Sequence, residues 1–133
     1  SQFGIPAARL SIAYGYDGLH KLVHLVGPAM ASEIMFTARR VQPDEAQRIG
    51  LINRAVPVDE LETAVREVAD AICRNAPLSI AASKHTIGQI LTDKEDRDYD
   101  EIKRMSQMCF DSNDYKEGRE AFMEKRSPVF TGT

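Results

Sequence analysis

Leu19-His20-Lys21-Leu22-Val23-His24-Leu25-Val26-Gly27-Pro28-Ala29-Met30-Ala31-Ser32-Glu33-Ile34 is the stretch that decides the fold class. Leu19, Leu22, Val23 and Val26 recur at spacings of three and four, the period of one helix face. Gly27-Pro28 then gives a stop followed by a start, because glycine suits the residue after a last helical turn and proline suits a first one. The stretch predicts two helices meeting at a tight corner. The second carries Met30, Ile34 and Met35 and ends near Arg39-Arg40, where cations suit the negative helix terminus.

The same pattern continues on the far side. Gln42-Pro43-Asp44-Glu45 opens a short helix with proline in its first turn and acids at its positive end, and Gly50 closes it. Residues 51–56 read as a short extended segment before Pro57. Asp59 is the expected N-cap of a long helix striped by Leu61, Val65, Val68 and Ile72, ending near Asn75. Pro77 restarts a helix that Thr92-Asp93 breaks. Another is expected from Asp96 to Phe110, with Tyr99, Ile102, Met105 and Cys109 on one side, and a last one from Asp114 to Lys125, with Phe122 and Met123 toward packing. The chain is mostly α, with little material for a sheet.

The 133 residues suffice for one domain, and a net charge of -3 with 28% charged residues is ordinary for a globular protein. That balance argues against broad electrostatic binding of nucleic acid or an anionic membrane, so any anion site must be local. Cys73 and Cys109 lie in helical segments without CxxC spacing and are expected to be free, buried thiols in a reducing compartment. No apolar run reaches the roughly 20 residues of a membrane span. These features predict a soluble chain of the cytoplasm, or of the mitochondrial matrix if eukaryotic.

Five segments in order carry a family resemblance: Ser1-Gln2-Phe3-Gly4-Ile5-Pro6, Gly15-Tyr16-Asp17-Gly18-Leu19, Phe36-Thr37-Ala38-Arg39-Arg40, Asp44-Glu45-Ala46 with Gly50 to Pro57, and Glu117-Gly118 with Ala121 to Arg126. Together they resemble the crotonase (enoyl-CoA hydratase/isomerase) superfamily over the whole length. The resemblance implies the end of a crotonase-type ββα spiral core, residues 1–57, followed by a helical C-terminal trimerisation and CoA-contact region, residues 58–133. It also implies that the first half of the core, with both oxyanion-hole N–H donors and one catalytic carboxylate, belongs ahead of Ser1. The implied parent takes an acyl-CoA thioester through an enolate without metal or redox cofactor. Its implied partners are copies of itself, as a trimer or a dimer of trimers, or a separate N-terminal half. The chain alone is expected to be inactive.

One departure matters for the reaction. Hydratases of this family carry Glu after the proline of the first segment, and here Pro6 is followed by Ala7, which cannot move a proton. Two-acid hydration is therefore not expected, and isomerase, thioesterase or decarboxylase chemistry with other acids stays open. The alternative is a non-catalytic binding or assembly module derived from a crotonase; a helical adaptor with accidental resemblance would show no acyl-CoA affinity.

Individual residues admit two readings each. Asp17 is either a substitute acid in the acyl-pocket loop or an N-cap for the helix beginning near Gly18. Tyr14 and Tyr16 either contact an acyl group or pack beside a turn, and Gly15 and Gly18 either admit a ligand to the backbone or simply turn it. His20 and His24 have the spacing of two metal ligands, but no third ligand is evident, so a solvated or packing role is the expectation. His85 carries no signal. By resemblance, Phe122 packs on the adenine of CoA and Lys125 meets phosphate; otherwise they are a buried Phe and a helix-end cation. Met30, Met35, Met105, Met108 and Met123 are expected to fill core and interface gaps.

Overall fold

The computed structural model describes residues 1–133, and the chain divides into two compact units, Ser1–Val58 and Asp59–Thr133. Seven α-helices carry nearly all the regular structure, and a single antiparallel bridge pairs Phe3 with Val41.

In the first unit, α1 (Ala7–Leu10) is one turn long. Helix α2 (Tyr16–Thr37) is interrupted where the sequence predicted, because Gly27 takes φ 76°, ψ 161°, a conformation essentially confined to glycine, and Pro28 restarts the helix. Helix α3 (Pro43–Arg48) has Pro in its first turn and closes on Gly50 at φ 78°. There the Gly50 N–H donates to Gln47 O and the Leu51 N–H to Ala46 O, the paired bonds of a Schellman ending. A Cβ at Gly50 would also stand 3.1 Å from Leu25 O. Ile34, Val41 and Ala46 form the buried core, surrounded by Phe3, Ile5, Val26 and Met30 from one side and Ile49, Leu51 and Ile52 from the other.

Residues 51–56 are not a strand. The Leu51 and Ile52 N–H groups both turn back to Ala46 O and the Ala55 N–H donates to Gln47 Oε1, so their donors close α3 rather than a ladder. Helix α2 stops at Thr37, before the two arginines. Arg39 instead donates to Glu33 Oε1 (2.7 Å) and grips both oxygens of Glu45 (2.6 and 2.8 Å). These bonds hold the Arg39 guanidinium pKa above its ordinary value and the Glu45 carboxyl below its own.

The second unit contains α4 (Leu61–Cys73), α5 (Pro77–Ile90), α6 (Tyr99–Asp111) and α7 (Asn113–Glu124), with single 3₁₀ turns at Val58–Glu60 and Lys94–Asp96. Helix α5 packs on α6 and α6 on α7. One expected cap and two expected helix starts move. Asp59 lies in the first 3₁₀ turn and Glu60 precedes α4 without a side-chain cap. Asp96 lies in the second, and Asp98 caps α6 by accepting the Glu101 N–H at 2.8 Å. Ser112, rather than Asp114, caps α7 through the Tyr115 N–H, while its own hydroxyl donates to Cys109 O.

Burial departs from expectation in the same unit. Leu61, Val65, Val68 and Ile72, the apolar stripe of α4, are each at least 50% exposed, and Ala121 is the unit's one buried apolar residue. Phe122 and Met123 are 82% and 79% exposed, and Met108 is exposed too, because α7 and α6 turn these faces outward. Cys73 is exposed on α4 and Cys109 half-buried, so neither is the buried thiol expected.

Asp114 is 3% exposed and fastens the C-terminal segment back onto α7, accepting the Thr131 N–H (2.7 Å) and hydroxyl on Oδ1 and the Gly132 N–H (2.9 Å) on Oδ2. Glu117 adds a second fastening, bonded to both Nη atoms of Arg126 and accepting the Val129 N–H. The Arg126 guanidinium and that N–H lower the Glu117 carboxyl from 4.5 to about 2.

Three tests follow from this architecture. Gly27→Ala should destabilise the first unit by about 1–3 kcal/mol in urea unfolding, since alanine must adopt a glycine conformation. Asp114→Ala should cost about 1–3 kcal/mol by removing the buried carboxylate that accepts the Thr131 and Gly132 N–H groups, read as earlier unfolding of the second unit. For Glu117, the unfolded chain takes up the proton near 4.5 and the folded chain only near 2. The stability it contributes is full above the first value and lost as pH falls toward the second, so the gap in urea midpoint between wild type and Glu117→Gln should close across that window.

Candidate functional site

The loop between α1 and α2 gathers the residues singled out at the start of the chain. Ala7, 2% exposed, opens α1 directly after Pro6, so the position behind the proline is enclosed and carries only a methyl group. Ser11, in the left-handed region at φ 53°, ends α1, with the Ile12 N–H returning to Ala7 O. The chain then runs through Tyr14 into α2. Gly15 precedes the helix in extended backbone at φ -73°, so no glycine-specific conformation is needed there, and nothing stands within 4 Å of where its Cβ would be. Gly18 is different: a Cβ would lie 3.3 Å from Tyr14 Cδ1, so the bare glycine lets the Tyr14 ring lie on the first turn.

Asp17 is not the N-cap. The helix begins at Tyr16, two residues earlier than the capping reading requires, and Asp17 sits exposed within the first turn, where its charge suits the positive helix end. Tyr16, 66% exposed, lies 5.2 Å from the His20 ring, which stacks 4.1 Å from His24. The His24 Nδ1 is 2.9 Å from His20 O, so this pair has a local packing role, and no group of three or more His, Cys, Asp or Glu side chains gathers anywhere in the chain. His85 Nε2 is buried without a hydrogen-bond partner.

In the second unit, α5, α6, α7 and the C-terminal segment enclose an open groove of ≈ 920 Å³. Its walls are mostly apolar, with Leu78 and Ile87 from α5 and the rings of Phe110, Tyr115, Phe122 and Phe130. Phe110 meets Tyr115 edge-on at 5.4 Å, and the Arg119 guanidinium lies 5.7 Å over the Tyr115 ring. Sequence reasoning missed the groove, whose wall Phe130 is held in place by the Asp114 and Glu117 fastenings; only the aromatic content near the end of the chain hinted at it.

Lys125 has a conformation the sequence did not announce. It adopts φ 56°, with its N–H on Phe122 O and the Arg126 N–H on Ala121 O, which is the glycine position of a Schellman ending held by a lysine. Phe122 and Lys125 are thus both solvent-facing at the end of α7, the first on the groove wall and the second at the helix terminus.

Comparison with known proteins bears on this arrangement. The family model described as Enoyl-CoA hydratase/isomerase matches residues 1–133. A short-chain-enoyl-CoA hydratase of Clostridium acetobutylicum is 36% identical over 126 residues, 95% of this chain and 48% of that protein. A methylmalonyl-CoA decarboxylase of Escherichia coli is 35% identical over 135 residues, 99% of this chain and 51% of its own length. The crystal structure of an enoyl-CoA hydratase/carnithine racemase from Magnetospirillum magneticum superposes with a TM-score of 0.85 at 32% identity, over 99% of this chain and 49% of the other. The chain therefore spans about half the length of these relatives. Its helices correspond to the helical C-terminal part of their shared fold. Matched from end to end, the chain belongs to the enoyl-CoA hydratase/isomerase family, the crotonase superfamily.

Proposed function

We propose that this chain is the C-terminal portion of an acyl-CoA enzyme that works through an enolate, supplying the floor of the acyl pocket and part of the CoA site. The observation that carries this reading is the family match over residues 1–133 combined with coverage of only about half of the relatives. On this reading Tyr14, Gly15, Tyr16 and Gly18 form the acyl-pocket loop, Asp17 within it is the substitute catalytic acid, and Phe122 and Lys125 contact the nucleotide and phosphate of CoA. An exposed ring can stack on a purine, and an exposed ammonium can meet phosphate without any excess of positive charge in the chain. The coenzyme A thioester is the substrate, and no metal or redox group takes part. The active enzyme is a homotrimer, a dimer of trimers, or a pairing with an N-terminal half, working in the cytoplasm or the mitochondrial matrix.

Ala7 shapes the chemistry. A methyl group in the enclosed position behind Pro6 cannot pass a proton to or from water, so addition of water by two paired carboxylates is not the reaction. Reactions that form an enolate by another route fit better.

A second reading, a non-catalytic assembly module, is favoured by the burial pattern. With Ala121 as its one buried apolar residue, the second unit has hardly any core of its own, and its exposed α4 stripe is the surface expected of an assembly element.

Two measurements test the proposal. The isolated chain, assayed with an enoyl-CoA, should neither hydrate nor isomerise it at an enzymatic rate; turnover would contradict the assignment. Lys125→Gly removes the ammonium while relieving the left-handed backbone, so it should stabilise the chain by about 1 kcal/mol and raise the Kd for coenzyme A about fivefold. A stabilised chain with unchanged affinity would remove Lys125 from the site, and a chain with no affinity for coenzyme A at all would favour the assembly module.

A further inference from the structure

We propose that the cleft between residues 2–9 and residues 38–40 is an oxyanion subsite, in which the guanidinium groups of Arg9 and Arg40 hold a carboxylate or phosphoryl group of a ligand. The cleft encloses ≈ 360 Å³ and is lined by Gln2, Gly4, Pro6, Arg9, Ala38 and Arg40 together with flanking apolar side chains. That is about twelve water volumes, room for a small anionic group.

Several arginines of the chain are already engaged. Arg39, Arg104 and Arg126 each hold a carboxylate within 2.7 Å, and Arg97 donates to the carbonyls of Thr92 and Ile90. Arg9 has no side-chain partner, and Arg40 donates only to the neutral Gln2 amide, Nη1 to Oε1 at 3.0 Å. In a chain of net charge -3, two arginines without a carboxylate partner that line one cleft make it locally positive.

Local structure explains the placement. Residues 39–41 are non-helical backbone leading into the Val41–Phe3 bridge, Arg39 is turned to Glu33 and Glu45, and Arg40 lines the cleft. The bridge brings the 2–5 segment alongside, and Gln2 is further tied by its Nε2 to Gln42 Oε1 at 3.5 Å. Gly4 packs alongside Arg39 and Arg40, where a Cβ would make ordinary contact with Arg39 O at 3.4 Å and Arg40 Cγ at 3.7 Å. Arg9 enters from the end of α1. Two planar forks match the paired oxygens of a carboxylate or the oxygens of a phosphoryl group, and the lining has no acid to oppose them. This assignment stands on the cleft itself and does not depend on the acyl-CoA reading.

The test titrates the full chain with malonate and, separately, with inorganic phosphate at constant ionic strength, following the arginine Nε–H resonances by NMR. Both Arg9 and Arg40 should shift saturably, with a common Kd that rises with added sodium chloride. Arg9→Gln and Arg40→Gln should each weaken binding about tenfold, whereas Arg74→Gln, just past the end of α4, should leave it unchanged. Both cleft arginines are exposed, and unaltered helical circular dichroism in the variants confirms that the fold is kept. Tighter binding of malonate assigns the subsite to a carboxylate, and tighter binding of phosphate to a phosphoryl group. Linear, non-saturating shifts with both anions, or saturable binding that survives both substitutions, would overturn the proposal.

Discussion

The first unit depends on one guanidinium. Arg39 reaches Glu33 in the last turns of α2 and Glu45 in the first turn of α3, so two helix ends that would otherwise be joined only by a short linker are fixed across one planar group. With those ends held, Val41 comes to Phe3, and Ile34, Val41 and Ala46 close into a core. A bidentate guanidinium–carboxylate contact sets orientation as well as distance, which a lysine in the same place would not do. It also sorts the two adjacent arginines: Arg39 is consumed by structure, and Arg40 is left with a neutral partner at the cleft.

Carboxylates play the corresponding part in the second unit. Helix α7 has few apolar residues to bury, and Asp114 and Glu117 instead gather the N–H groups of Val129, Thr131 and Gly132, which belong to no helix and would otherwise need water. The consequence reaches the groove, because Phe130, between those fastened residues, is one of its aromatic walls and lies over Gly118. Polar bonds at the end of the chain thus shape an apolar surface, while the α4 stripe stays open.

The sequence was most legible where a residue type leaves the backbone no alternative. Gly27-Pro28 and Gly50 were read correctly because glycine at positive φ and proline at a helix start are rules of local sterics. Caps were read less well. Asp59, Asp96 and Asp114 are all chemically able to cap, but Asp98 and Ser112 hold the capping positions of α6 and α7, and Asp114 is taken by a segment seventeen residues further on. Residues 51–56 look like a strand by composition, yet their donors were already committed to α3. Asp17 failed as a cap for a related reason, since α2 starts at Tyr16 and turns the candidate cap into a first-turn residue. The outward faces of Phe122, Met123 and α4 were illegible because apolar periodicity marks a face without saying what covers it.

Backbone strain separates the residues that stay in question. Three non-glycine residues occupy the left-handed region, Ser11, Ala38 and Lys125, each just beyond a helix. Such a position costs roughly 1–2 kcal/mol relative to glycine. Ala38 is buried, and its methyl group packs in return. Ser11 is small, directs the chain into the segment before α2, and lies among the residue types that tolerate turns. Lys125 has neither justification: it is exposed, bonds to no neighbour through its side chain, and stands where glycine would be favoured. What distinguishes it from glycine at that place is an exposed ammonium just beyond Phe122, where the proposed reading puts the phosphate of coenzyme A.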